Sequence, residues 1–457
     1  MAKSKSTLGD QRLARPYGKL LDAMMSKMSV VLRKLGSTRT EEVVFGRFLS
    51  NPRVTPDNLV SQFWSTHARD WSSHHLLVIE DTTCTSFGLL SGRQGLGYIG
   101  ESAHKRGFYE HCALMVDADD LSCYGLGGVS VFTMDPPKKL PRVLRHKNNW
   151  KIPFEQKNRY KWFDSAQKAI SNCPGAMQYT IVGDRESDIY DLYGRYEVNS
   201  WNFLSRSKYD RRIAEGQSLQ AHVKSWDVKH TYSLLLPKTD KRNAHQAQIE
   251  LRFGLVHLLR PKTCPDKNLP NQLPVFIVDV QESDHTVIPG QKPVHWTLIT
   301  SHEVTTVEQA MKVVSWYRER WAIEQTFRTL KSEGLNLESS ESRTFESLAN
   351  LSTLALIAAS AVMQLVNARD GTTQQDIHST FESQEIECII ALNTQLEGKT
   401  EKLKNPHPKD SLAFAAWVIA RLAGWSGYQN QRPPGPITML YGFVRFYQIY
   451  HGFSLRL

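Results

Sequence analysis

The chain of 457 residues is poor in several features that would settle its class early. It has six cysteines, Cys84, Cys112, Cys123, Cys173, Cys264 and Cys388, and no C-x-x-C pair. That leaves a zinc ribbon or a thioredoxin-type site without support, and in a chain this long without a secretory signal it favours free thiols over disulfides. Sixteen histidines include no H-E-x-x-H, so helical zinc-hydrolase chemistry has no support either. The N-terminal stretch is basic but has no uninterrupted apolar segment, as a signal peptide would require. The longest apolar stretch, Leu351 to Val366, is about 16 residues by the span rule and carries Ser, Thr and Gln, which reads as too short and too polar for a spanning helix. These absences predict a cytoplasmic protein with no membrane partner, in which the glycosylation triplet Asn350-Leu351-Ser352 has no meaning. No internal repeat is visible.

Acidic residues are also in short supply. Lys and Arg number 56 against 46 Asp and Glu, for a net charge of +10. The surplus is local: residues 1–74 hold twelve Lys/Arg against six acids, and residues 138–162 hold nine against Glu155 alone. In the second stretch Trp150, Tyr160 and Trp162 are interleaved with the cations. Such a balance favours a polyanionic partner, while the 40% of hydrophobic residues allows a sizeable core in two to four domains.

Along the chain, Thr55-Pro56-Asp57 is a helix start, with Thr as N-cap, Pro at N1 and an acid in the first turn. HLLVIEDTT over residues 75–83, the two segments from Gly107 to Met134, MQYTIVGDRES and WNFLSRSK read as strands. Residues 213–295 hold turn clusters, Thr, Val and Pro, and suggest a β-rich insertion; WTLITS over 296–301 returns to a strand. A long helix is expected from Thr305 through Gly334, and residues 343–457 read as mostly helical, broken near 404–410 and at QRPPGPI. Gly95-Leu96-Gly97-Tyr98-Ile99-Gly100 fits G-x-G-x-x-G, yet no helical period follows it, so a loop is expected instead of a dinucleotide site.

Two of these strands end, on this reading, in an aspartate, Asp81 and Asp184. Glu324 lies on the long helix. Carboxylates at strand C-termini point to where ligands bind in α/β sheets, and three of them together need a hard cation between them. A single Asp at a strand end is also an ordinary turn or cap residue. At 100° per residue, Tyr317, Arg320, Glu324, Arg328 and Lys331 fall within a stripe of roughly 80°, and Trp316, Ile323, Phe327 and Leu330 within an apolar one. Cations beside one acid suit phosphate oxygens. A solvated face with Glu324–Arg320 and Glu324–Arg328 pairs accounts for the same pattern.

Tyr317-x2-Arg320-x3-Glu324-x6-Lys331 resembles, residue for residue, the Y-x2-R-x3-E-x6-K signature of bacterial cut-and-paste DDE transposases of the IS Four family, the Tn Five type. IEDTT around Asp81 and VGDRESDIYDLY around Asp184 resemble the segments of the family's two aspartates. RFLSNPRVTPDNL, SRSK (Ser205 to Lys208) and LGDQRLAR, with Arg12 and Arg15, resemble further family segments in the same order. The resemblance opens at Leu8, where family members usually carry further residues, so a shortened end-binding segment is expected. It implies an α/β fold: an RNase H-like mixed-sheet catalytic domain over residues 71–342 with the β-rich insertion at about 213–295, a helical DNA-binding domain over 1–70 and a helical dimerisation region over 343–457.

It further implies Asp81, Asp184 and Glu324 as a catalytic triad binding two Mg²⁺ (Mn²⁺ able to substitute). Tyr317, Arg320, Lys331, Arg206 and Lys208 would hold DNA, Trp296 would stack on a flipped base, and Arg12 and Arg15 would contact the transposon end. The partners implied are double-stranded transposon ends and target DNA, engaged by a homodimer in a synaptic complex. A non-catalytic DNA-binding derivative and an RNase H-like nuclease are the alternatives.

Overall fold

The computed structural model describes residues 8–88, 92–100, 102–136, 152–239, 242–262, 264, 266–331, 334–427 and 431–454. Much of the basic 138–162 stretch, through residue 151, lies outside them. In chain order the elements are α1 (Gln11–Lys27), α2 (Arg39–Leu49), α3 (Pro56–Thr66), β1 (His75–Gly88), β2 (Gly97–Ile99), β3 (Ser102–Asp117), β4 (Cys123–Phe132), α4 (Tyr160–Asn172), β5 (Gln178–Gly183), α5 (Tyr190–Val198), β6 (Asn202–Arg206), α6 (Leu219–Lys224), β7 (His230–Leu236), β8 (His245–Leu259), β9 (Gln272–Glu282) and β10 (His295–Thr300). The helices α7 (Val307–Arg318), α8 (Trp321–Leu330), α9 (Phe345–Ala368), α10 (Ser383–Leu396), α11 (Leu412–Leu422) and α12 (Pro436–Ser454) follow.

The chain forms two compact units. One comprises residues 1–138, 164–177 and 321–457; the other comprises 139–163 and 178–320. The N-terminal and C-terminal helices thus share a unit, because both bury apolar faces on α9. This helix contacts α1, α3, α11, α12 and β4. It is 24 residues long and its most apolar 18-residue window has a mean hydropathy of 1.6, long and apolar enough by length and composition to cross a membrane, in contrast to the short and polar segment expected from the sequence; 94% of that window is buried. Small residues let the neighbours approach. Gly125, at φ +120, lies against the Phe63 ring and the Ser360 hydroxyl, and a Cβ on Gly128 would lie 2.6 Å from the Ser165 carbonyl of α4.

In this first unit β3 pairs antiparallel with β1, β2 and β4. The glycine-rich GLGYIG segment supplies β2 and a turn, with no helix after it. The Thr55 side chain caps α3 through the Asn58 amide, as the sequence indicates. In the second unit the strand order is β5-β6-β10-β9-β8-β7, parallel between β5 and β6 and antiparallel elsewhere, which makes the sheet mixed. The strands of the 213–295 segment therefore extend the sheet through the β9–β10 pair. Helices α5 and α7 contact β6, and α7 also reaches β9.

Two expectations need correction. β1 runs on to Gly88, so Asp81 lies mid-strand opposite Cys112 and not at a strand end. Thr82, Thr83 and Thr85 are β-branched and continue the ladder with β3, although their polarity resembles a loop. The long helix from Thr305 is two helices, interrupted at Glu319 and Arg320 with neither Gly nor Pro to mark the break. The projection of Tyr317 to Lys331 onto a single stripe does not hold; the buried positions Trp316, Ile323, Phe327 and Leu330 do.

Asn350, buried in α9, donates from Nδ2 to the carbonyls of Leu49 at 2.9 Å and Val54 at 2.8 Å. Asn350→Ala strands both buried acceptors, and urea denaturation should show a loss of about 2–6 kcal/mol, summing the usual ~1–3 kcal/mol per orphaned group.

Candidate nucleic-acid interface and acidic site

In the second unit the short 3₁₀ turn Arg185–Ser187 follows β5 directly, and Asp184 is its N-cap. Its Oδ1 accepts from the Glu186 amide at 2.7 Å. Around it stand residues from three other elements. Tyr317, at the end of α7, is buried, and its hydroxyl is hydrogen-bonded with Arg206 and Arg320. Burial raises the pKa of Tyr317, and Asp184 acts in the same sense, while Arg320 and Arg206 oppose them. For Arg206, burial lowers the value, Tyr317 raises it, and Arg185 and Arg320 lower it further. Its Nη2 also donates to the His295 carbonyl at 2.7 Å. Trp296, half-buried on β10, meets Tyr317 edge to face with ring centroids 5.2 Å apart. Asp184, Arg206, Trp296, Tyr317 and Arg320, all predicted site residues, are therefore gathered in one unit. Three guanidiniums gather here about a neutral phenol and one carboxylate. Such a set is suited to an anion, and Arg fits phosphate oxygens through its planar fork.

Lys208 is exposed just beyond β6, and its position depends on a residue that sequence reasoning does not single out. Asp188 is 1% exposed. It accepts from the amides of Lys208 at 2.7 Å and Tyr209 at 3.1 Å, from Arg211 Nε at 2.9 Å and from the Tyr193 hydroxyl at 3.0 Å. It thereby ties the loop after Asp184 to the segment carrying Lys208. The only trace of this in the sequence is an acid four places after Asp184, which looks like any other acid.

The first unit holds Asp81 and Glu324. Asp81 Oδ1 accepts from the Thr82 amide at 2.7 Å, and α8, which carries Glu324, packs on β1 and β3. Lys331 follows α8 directly. Glu110 lies across the ladder from Thr83, on the Asp81 side of β3. It is fully buried and takes a short hydrogen bond from Ser352 and another from Thr85 at 3.4 Å. Its pKa is pushed up to about 7 by burial, against the pull of Ser352 and Lys331. On the other face Thr82 bonds His111 Nδ1 at 2.8 Å, and His111 Nε2 lies 3.6 Å from Glu80. Arg12 and Arg15 are exposed on α1, the former with its amide capped by Asp10.

Carboxylates are the donor type that a hard divalent cation takes. Among the described residues, however, no group of three His, Cys, Asp or Glu side chains stands ready to hold one. Asp184 belongs to the second unit and Asp81 and Glu324 to the first.

Residues 177–360 match the family model described as a transposase DDE domain. The matched stretch contains Asp184 and everything from Trp296 through Lys331, and leaves Asp81 outside. Among solved structures, the cryo-EM structure of a piggyBac transposase synaptic complex with hairpin DNA is similar with a TM-score of 0.36 and 9% identity, over 80% of this chain and 68% of that one.

Glu110 generates a pH dependence. With its folded value raised from 4.5 to about 7, the folded chain keeps a proton that the unfolded chain releases within that window. Stability from this group is therefore present below pH 4.5, falls as pH rises to about 7, and is level above. Glu110→Gln keeps an acceptor for Ser352 and removes the titration. Denaturation at pH 8 should find it more stable than the wild type by roughly 1–3 kcal/mol, with a flatter profile between pH 5 and 7.

Proposed function

We propose that this chain is a bacterial, cytoplasmic cut-and-paste DNA transposase of the IS Four type, with Asp81, Asp184 and Glu324 as its three carboxylates. The observation that carries the reading is the gathering of Arg185, Arg206 and Arg320 about Tyr317 and Asp184, with Trp296 against the phenol, inside the second unit. All of these residues fall in the stretch that matches a transposase DDE domain. An RNase H-like core agrees with the strand content: antiparallel β1, β3 and β4 in succession, then the parallel pair β5 and β6.

Asp81, Asp184 and Glu324 would hold a pair of Mg²⁺ ions, or Mn²⁺ in their place. When bound, these supply an activated water and stabilise the oxygen that leaves phosphorus. The remaining work falls to the chain's own side chains. Arg206, Arg320 and Lys331 bind the phosphates flanking the scissile bond, with Tyr317 orienting the two arginines, and Lys208 holds backbone on the neighbouring segment. Hydrolysis breaks the bond to the 3′ oxygen and leaves a 3′-OH. In a hairpin route that hydroxyl attacks a phosphorus of the opposite strand, forming a new P–O bond as the 3′ oxygen of the flanking DNA leaves, and the closed end strains its terminal nucleotides. Trp296 is half-exposed and braced by Tyr317, so it offers a face to a base turned out of that strained end; such stacking is worth ~1–3 kcal/mol per base. Arg12 and Arg15, with the basic N-terminal segment, bind the inverted repeat, and a homodimer pairs the two ends before joining to target DNA.

Asp81→Asn, Asp184→Asn and Glu324→Gln test the assignment without removing bulk, and Asn at position 184 still caps its turn. Cleavage of inverted-repeat DNA in Mg²⁺ should fall by about a thousandfold or more for each, as for members of a unit that acts together, while end binding by gel shift is retained. Wild-type cleavage from any one of them removes that residue from the triad. A chain that binds inverted repeats and never cuts them, with the triad intact, would instead be a non-catalytic derivative.

Trp296→Ala should leave the first nick close to wild-type rate and slow hairpin formation roughly five- to a hundredfold, the loss of one stacked base. Equal slowing of both steps would remove the stacking role.

A further inference from the structure

The second unit contains a cavity of about 790 Å³ that the reactions above do not use. Its size lies within the ~300–1,000 Å³ typical of ligand sites. Its wall is unusual in charge. Arg159, Arg211, Arg212, Arg260 and Lys262 line it, and Tyr209 stands among them. The acids facing it are Asp188, Asp191 and Asp210. Two of these are buried and committed: Asp188 pairs with Arg211, and Asp191 with Arg159 at 3.2 Å. Asp210 accepts from the Gln220 amide at 2.9 Å. Five cations against three acids leave a surplus of two positive charges.

The cations are of two kinds. Arg211 and Arg159 are pinned by buried carboxylates. Arg260 is held in place by two neutral carbonyls, those of Asp266 at 3.1 Å and Leu269 at 2.9 Å, which orient its guanidinium and leave its charge unanswered. Arg212 and Lys262 are exposed, and no ion pair or side-chain hydrogen bond involves them among the described residues. A merely solvated basic surface would not need buried acids beneath it to fix the direction of its arginines. Tyr209 adds an aromatic surface: it is 54% exposed, and the Lys208 ammonium and the Arg211 guanidinium each lie 5.7 Å from its ring centroid. Oriented guanidiniums and an exposed aromatic ring with cations 5.7 Å from its centroid form a combination by which single-stranded nucleic acid is held, phosphates on the cations and a base on the ring.

We infer that this cavity is a second nucleic-acid site, binding one unpaired DNA strand with its phosphates on Arg212, Arg260 and Lys262 and a base on Tyr209. The inference rests on the transposase reading only in taking DNA as the partner. It places a displaced or hairpin-opened strand on the surface beyond Lys208, on residues outside the triad.

The test uses the full chain and two fluorescently labelled probes, a single-stranded oligothymidylate and a duplex of unrelated sequence, titrated over a range of salt concentrations. Arg212→Ala combined with Lys262→Ala should lower the log–log salt slope for the single strand by about 1.4, near 0.7 for each phosphate no longer held, and weaken binding about tenfold at low salt. Tyr209→Ala should weaken single-strand binding roughly five- to a hundredfold with the slope unchanged, since stacking releases no counterions. The same substitution should change duplex affinity less than about twofold, because a paired base has no free face to give. An unchanged slope in the double variant overturns the site. Equal loss on both probes with Tyr209→Ala overturns the assignment to an unpaired strand. If the wild type cleaves inverted-repeat ends and these variants bind like it, only this site falls; if the wild type binds neither probe, the transposase reading falls with it.

Discussion

One buried carboxylate fixes the geometry of the second unit's basic surface. Asp188 is shielded from water, and an ionised carboxylate in such a place is costly unless every acceptor site is answered. Two backbone amides, the Arg211 guanidinium and the Tyr193 phenol answer it. Those donors come from α5 and from the segment after β6, so the carboxylate joins the loop that starts at Asp184 to the stretch that carries Lys208, Tyr209 and Arg211. Any movement of one segment against the other would strand a buried charge. The cations on this stretch thus inherit their positions from a buried residue, and the same pin aims Arg211 along the wall of the basic cavity.

A second constraint is repulsion. Arg185, Arg206 and Arg320 act on one another through a small volume with Asp184 as a carboxylate among them. Tyr317 reduces the cost of this arrangement. Burial holds it as a neutral phenol despite the pull of two guanidiniums, so its hydroxyl bridges them by hydrogen bonds without adding charge. The Trp296 ring then closes the apolar side of the phenol. An anion brought to such a cluster relieves the repulsion among its cations, which gives the Tyr317-x2-Arg320 part of the spacing a physical content within the second unit.

How much of this is legible in the sequence depends on whether the controlling interaction is local. The Thr55 cap, the strand through Val182 and the apolar positions Ile323, Phe327 and Leu330 follow from spacing over a few residues, and the structure has them. The break at Glu319 and Arg320 leaves no signature, because charged residues are good helix formers and nothing in their propensity stops a helix. Asp81 reads as a strand end and is not one, since threonines look like loop residues by polarity and like strand residues by shape. Asp188 and Glu110 are invisible for another reason. Each is defined by partners far away, Arg211 and the Lys208 amide for one, Ser352 on α9 for the other, and no local pattern distinguishes a buried acid from the exposed majority.

The first unit shows why its acids cannot be considered apart from the chain's two ends. Asp81 lies on β1 and Glu324 on α8, and α8 contacts β1, β3 and α9. α9 in turn meets α1 and α3 from the N-terminal side and α11 and α12 from the C-terminal side, and its Ser352 reaches Glu110 on β3. Helices that the sequence alone separates into a DNA-binding end and a dimerising end therefore close one core behind the acid-bearing elements. A buried α9 polar group such as Asn350 answers carbonyls at the end of α2 and just before α3, so a change at either terminus bears on the strand and helix that carry Asp81 and Glu324 through contiguous packing. In this unit the placement of the carboxylates and the integrity of the terminal helices are a single structural property.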